Sequence, residues 1–131
     1  LIRKFDDAKK ENKKEVVLWG SGKPKREFLH VDDLALALLF VMNKYDGSEI
    51  INIGTGEDIS IKKLASLVQK TVGFKGEICW DKTKPDGTKR KLLDVTKIQK
   101  LGWRHKTTLE DGIRDTYSSY KNDSSKNTKK R

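Results

Sequence analysis

Apolar residues fall at helical spacing in four stretches of this chain, with short continuous or alternating apolar runs between them. In residues 1–14, Leu1, Ile2, Phe5 and Ala8 share one side of a highly charged segment, which predicts an amphipathic helix. Behind Asp32-Asp33, the positions Leu34, Ala35, Leu38, Val41, Met42 and Tyr45 recur in the same way. They predict a helix capped by one of the two aspartates and running to Tyr45. Leu39 and Phe40 add apolar surface elsewhere on it, so burial on more than one face is expected. Ser60 predicts the N-cap of a third helix over residues 61–72, with Ile61, Leu64, Ala65, Val68 and Val72 as its stripe and Gly73 as its stop. A short helix starts at Thr96 and ends at Gly102. Thr108-Leu109-Glu110-Asp111 opens a last helix, carrying Leu109, Ile113, Tyr117 and Tyr120.

Residues 16–19, 27–31, 50–53 and 77–80 read as short strands. The run Ile50-Ile51-Asn52-Ile53 is continuous enough to fit a buried, parallel position. Asp46-Gly47 and Pro85-Asp86-Gly87 are turn sequences. Short strands alternating with helices predict an α/β fold, and no internal repeat interrupts the pattern. A chain of 131 residues fits one domain with a modest core. Its first residue is Leu1, already inside an amphipathic pattern, and the helix over 32–45 is apolar enough to expect more protein around it. Both suggest a piece of something longer.

The net charge of +10 raises the question of nucleic acid, and its distribution answers against it. The last eleven residues carry a net +4 and the first fifteen a net +2, which leaves an ordinary +4 for residues 16–120. Residues 121–131 are rich in Lys, Asn and Ser without an apolar side chain, the composition of a disordered, solubilising tail. A non-catalytic basic module would need salt-sensitive nucleic-acid binding that survives loss of that tail. No apolar run approaches the ~20 residues of a membrane span. The single cysteine, Cys79, excludes an internal disulfide, fits a reducing cytoplasm and reads as a small buried hydrophobe in a strand.

Few residues are candidates for chemistry. Gly20-Ser21-Gly22 and Gly54-Thr55-Gly56 lack the third glycine of a dinucleotide cradle, since Lys25 and Ile59 stand at that position, and so read as tight turns. His30 precedes the helix cap and reads as a hydrogen-bonded structural residue, and His105 as solvent-facing. One cysteine and two distant histidines assemble no metal site. No catalytic residue is assigned. What remains is the segment from Trp19 through Arg26 to Asp33. There a tryptophan and an arginine frame a Gly/Ser/Pro loop. A flat aromatic surface beside a planar, permanently charged fork suits a ligand with a ring and phosphates, such as a nucleotide.

The run Arg26-Glu27-Phe28-Leu29-His30-Val31-Asp32-Asp33 resembles one found in the second half of extended short-chain dehydrogenase/reductases. Lys84-Pro85-Asp86-Gly87-Thr88-Lys89-Arg90-Lys91-Leu92-Leu93-Asp94-Val95 narrows the resemblance to the NADP-dependent 3,5-epimerase/4-reductases that act on GDP-4-keto-6-deoxymannose. Lys89 departs from that family's usual proline, removing a fixed φ and adding charge. The resemblance covers residues 1–120 and implies the C-terminal, substrate-binding portion of such an enzyme, without its N-terminal Rossmann half. The NADP site, the Tyr-x-x-x-Lys pair and the cysteine used in epimerisation would then lie outside this chain, leaving these residues inactive alone. Residues 32–53 would pack on the N-terminal half, and the whole enzyme would be a cytoplasmic homodimer. Four positions align with the family's contacts to the GDP-sugar: Lys4 and Arg26 for the diphosphate, Trp19 as an apolar plane, and Asp86 as an acceptor. Lys91 is a weaker fifth. A related epimerase or reductase for another nucleotide-sugar is the alternative.

Overall fold

Alternation in Glu15-Val16-Val17-Leu18-Trp19 sends Val16 and Leu18 into the interior and leaves Val17 and Trp19 outside, as a half-buried strand requires. The computed structural model describes residues 1–128, with side chains through residue 123. Its elements follow in the order α1 (Ile2–Lys10), β1 (Glu15–Trp19), β2 (Lys25–Arg26), α2 (Val31–Lys44), β3 (Ile59–Ser60), α3 (Ile61–Val72), β4 (Glu77–Asp81), β5 (Arg90–Lys91), α4 (Thr96–Lys100) and α5 (Leu109–Thr128). β1 pairs parallel with β4, from Glu15 opposite Glu77 to Trp19 opposite Asp81. β2 lies between β3, antiparallel, and β5, parallel. This is the α/β architecture that the residue pattern predicts.

The main core is a layer of helices on the β1–β4 pair. Phe5 and Ala8 of α1 meet Leu64, Ala65, Val68 and Val72 of α3, with Ile113 of α5 and Phe74 closing the cluster. Burying a side chain of that size contributes about 1.5–3 kcal/mol. The expected stripe of α3 is therefore the buried one. Ser60 caps the helix by accepting the Lys63 N–H at 3.2 Å, and Gly73 ends it at φ 72°, a conformation that costs other residues. Asp6 joins α1 to α5: it is 1% exposed, faces Lys10 Nζ at 2.6 Å and accepts from the Tyr117 hydroxyl at 2.8 Å. Burial, and then Asp6, push the Tyr117 hydroxyl up to about 12. Ala37, Val95, Ile98 and Trp103 form a second, smaller cluster between α2 and α4.

Several expectations are corrected. The strand predicted over 27–31 stops at Arg26, because Glu27 takes its partners through its side chain instead of the backbone. His30, not an aspartate, caps α2: Nδ1 accepts the Asp32 N–H at 3.4 Å. Asp33 turns inward and accepts the Thr107 N–H at 2.8 Å and the Lys106 N–H at 3.2 Å. Residues 50–53 form no strand, since no strand among the described residues offers a ladder, and Ile50 is 90% exposed. α2 is covered along Asp33, Ala37, Phe40 and Val41, so of the predicted stripe Val41 and Tyr45 are half-buried while Leu34, Ala35, Leu38 and Met42 are exposed. Cys79 is half-buried, not buried, and its thiol donates to Glu15 at 3.1 Å. That carboxylate pushes the thiol up, the reverse of activation. α5 continues helically to Thr128, past residue 121 where the basic tail was expected to begin, since each residue added to a formed helix adds a backbone bond. Residues 129–131 of that tail lie outside the described residues.

Burial alone would raise the Asp33 carboxyl, but hydrogen bonds from Thr107 and Lys106 outweigh it and hold the group below its ordinary 3.8. A depressed carboxyl contributes stability above its unfolded value and loses it as the pH falls through the folded one. Asp33→Ala should therefore lower unfolding free energy at pH 7 by about 1–3 kcal/mol, by stranding two N–H groups. Denaturant titrations should show the gap between wild type and variant closing below pH 3.8.

Candidate functional site

Parallel pairing of β1 with β4 brings the ends of both strands together, so the loops that follow them meet. Trp19, the last residue of β1, is 73% exposed, with the Lys84 ammonium 5.8 Å from its ring centroid. That spacing lies within the range of a cation–π contact. The turn after Trp19 is shaped by its surroundings. At Gly22 φ is +71°, and a Cβ would come within 2.6 Å of the Trp80 indole. Asp86 of the facing loop accepts the Ser21 N–H at 2.8 Å and the Ser21 hydroxyl at 2.6 Å. The hydroxyl and then the N–H hold the Asp86 carboxyl below its usual range.

Arg26 fastens the same loop further along. Its Nη1 donates to the Lys25 carbonyl at 2.6 Å and to the Thr88 carbonyl at 2.7 Å. Lys25 N–H donates to the Lys89 carbonyl at 2.9 Å, and Asp58 pairs with Arg90 and, at 3.5 Å, with Lys25. Loop 82–89 is thus held at Ser21, at Arg26 and at the β2–β5 pairing. Arg26 and Phe28 also line a groove of about 940 Å³ walled by Leu64, Val68, Leu109 and Ile113.

Of the residues singled out from the sequence, Trp19, Arg26 and Asp86 therefore surround one pair of loops, and Lys91 lies beside Arg26 in register. Lys4 is set apart on α1, where Nζ donates to the Val17 carbonyl at 2.5 Å. Asp86 has both oxygens engaged by Ser21, so it fastens a loop. Glu27 and Asp58 were missed. Both are ordinary surface carboxylates by sequence, and their partners lie about thirty or more residues away.

The profile of the NAD dependent epimerase/dehydratase family matches residues 1–54. A protein of Arabidopsis thaliana named putative GDP-L-fucose synthase 2 is 56% identical over 120 residues, covering 92% of this chain and 37% of that protein. These likenesses are to extended short-chain dehydrogenase/reductases. The GDP-L-fucose synthase of Escherichia coli K12 is 48% identical over 126 residues, covering 89% of this chain and 39% of that protein. A GDP-mannoheptose C4 reductase from Campylobacter jejuni, solved with NADP bound, superposes with a TM-score of 0.81 at 42% identity, covering 92% of this chain and 43% of that one. The chain thus spans less than half the length of the relatives it matches.

Members of this family hold a dinucleotide on a glycine-rich turn that leads from a strand into a helix. The described residues do not fit that role. The turn at Gly20–Gly22 leads into a strand, and the space a Cβ would take at Gly20, Gly22, Gly54 and Gly56 is filled by Asp86, Trp80, Glu27 and Val95. Among the described residues no group of three or more His, Cys, Asp or Glu is placed to hold a metal ion, and no helix is long and apolar enough to cross a membrane.

If Asp86 fastens the loop, Asp86→Ala should free the Ser21 amide. Hydrogen exchange should then show faster exchange at Ser21 while amides of α3 keep their protection. Unchanged exchange at Ser21 would mean the loop is held without this carboxylate.

Proposed function

We propose that these residues form the GDP-sugar-binding portion of an NADP-dependent 3,5-epimerase/4-reductase that converts GDP-4-keto-6-deoxymannose to GDP-L-fucose. The observation that carries this reading is identity of 48% and 56%, over most of this chain, to proteins named GDP-L-fucose synthase. The geometry is compatible with it: an exposed indole, an arginine fork and a fastened loop lie at the adjoining ends of two parallel strands. Arg26, with Lys4 at the margin, would neutralise the diphosphate. Trp19 would give the nucleotide a flat apolar surface. Asp86 would turn its remaining acceptor capacity toward a hydroxyl or amine donor. Protons at C3 and C5 of the sugar are acidified by the keto group between them, and C4 then takes a hydride. This chain's part is to hold the nucleotide end while that chemistry proceeds on residues and NADP bound elsewhere in the full-length protein.

A second reading is favoured by one observation, the 42% identity to a reductase of GDP-mannoheptose. The nucleotide would then be the same and the sugar different. The GDP-sugar that most raises the melting temperature of the full-length protein separates the two.

The remainder of the protein is proposed to cover the outer face of α2. Leu38 is 50%, Leu39 56% and Met42 78% exposed, and Ile50 is 90% exposed, the kind of exposed apolar surface that marks an interaction site. The full-length protein is taken to be a cytoplasmic homodimer with neither nucleic acid nor membrane as partner. The 131 residues alone should self-associate in light scattering, and Leu39→Glu with Met42→Glu should reduce that association. A wild-type chain that stays monomeric at every concentration would count against a covering partner.

Arg26→Ala in the full-length protein should weaken GDP and GDP-sugar binding about ten- to hundredfold, the equivalent of one charged hydrogen-bonded contact. Trp19→Ala should also weaken binding, but with less dependence on salt, because it removes apolar contact. Calorimetric titration at two ionic strengths, with melting temperature as folding control, makes the comparison. Full affinity in a folded Arg26→Ala protein would reduce this motif to scaffold.

A further inference from the structure

Arg26 is the last residue of β2, and the ladder that holds it ends there, with Ile59 opposite on one side and Lys91 on the other. Beyond it the chain is fixed by a side chain. Glu27 Oε1 accepts the Gly56 N–H at 2.6 Å and the Thr55 hydroxyl at 3.2 Å, and Oε2 accepts the Leu93 N–H at 3.0 Å. Gly56 precedes Ile59 on the one neighbouring segment, and Leu93 follows Lys91 on the other. One carboxylate therefore extends both pairings of Arg26 past the point where the backbone stops pairing. The fit is close: a Cβ on Gly54 would lie 2.5 Å from Glu27 Oε1. Hydrogen bonds to an ionised acceptor are about twice as strong as neutral ones, so three of them can replace a short ladder.

We propose that Glu27 is a positioning residue for the nucleotide-sugar: it holds the backbone immediately after Arg26 and so aims the Arg26 guanidinium at the diphosphate. This rests on the functional reading above, in which Arg26 is the phosphate contact. The fork can be aimed only if its base is fixed. Its Nη1 is already set by the Lys25 carbonyl, in β2, and by the Thr88 carbonyl, in the loop that leads into β5, the two strands that Glu27 keeps together. A displacement of the backbone at residue 27 would swing the fork off these carbonyls and away from the ligand.

The test uses the full-length protein with Glu27→Gln, Arg26→Ala and the double variant. Glutamine keeps the shape and one acceptor oxygen but turns an amide against an N–H, so it loosens the clamp without stripping all three donors. Titration with GDP should show about tenfold weaker binding for Glu27→Gln, a loss like that of one charged hydrogen bond. In turnover, KM for the GDP-sugar should rise with kcat unchanged, because the contact is made equally in ground and transition states. On the Arg26→Ala background the same change should cost no further affinity, since its effect runs through Arg26. Full affinity in Glu27→Gln, an additive loss in the double variant, or a loss that follows only a fall in melting temperature would overturn the proposal. Failure of the wild type itself to bind GDP would overturn the functional reading, and the positioning role with it. A wild type that binds GDP beside an unaffected Glu27→Gln removes the positioning role alone.

Discussion

The parallel pairing of β1 with β4 is the constraint from which the rest of the arrangement follows. Five residues of each strand lie in register, and the chain between them must cross over to run the same way again. That crossover contains α2 and α3, and α3 returns to cover the pair with the main core. Because the strands run the same way and end together, Trp19 stands opposite Asp81 and the two following loops face each other. Ser21 and Asp86, sixty-five residues apart, meet only as a result. An antiparallel pairing of the same strands would have sent those loops to opposite ends.

Much of the remaining order is carried by carboxylates bonded to backbone N–H groups. Glu27 reaches Gly56 and Leu93, and Asp33 reaches Lys106 and Thr107. Each spans segments too short or too irregular to pair as strands. A carboxylate offers two oxygens in one plane, so it can tie two chain segments where a ladder would need several aligned residues. This is how a β2 of only two residues is kept in place. Asp58 does similar work by charge, between Lys25 and Arg90. Lys10, Lys25 and Arg90 are thus structural cations, each facing a buried carboxylate.

The two halves of the core differ in how well they are covered. Around α1, α3 and α5 the apolar side chains meet one another from three helices and a sheet. Around α2 a single line of residues is packed and the remaining apolar positions face outward. A helix with apolar residues on several faces is stable as a surface element only when other protein covers them. The exposed face of α2 and residues 50–53, which form no strand, are the parts that the proposed remainder of the protein would cover.

The sequence by itself determined the elements whose signals are local. The stripe and caps of α3, the alternation in β1, the helix starting at Thr108 and the two motifs around Arg26 and Asp86 are all legible within a dozen residues. Those same motifs carry the resemblance to the relatives that the chain matches. Tertiary structure alone decided what depends on distant partners. Residues 50–53 have the composition of a strand and, among the described residues, no strand to pair with. Most of the stripe of α2 faces outward because the described elements pack mainly on its Asp33–Ala37 side. Glu27 and Asp86 reveal their contacts only when segments far apart in sequence are folded together, because a hydrogen-bond acceptor carries no record in the sequence of which donor it will meet.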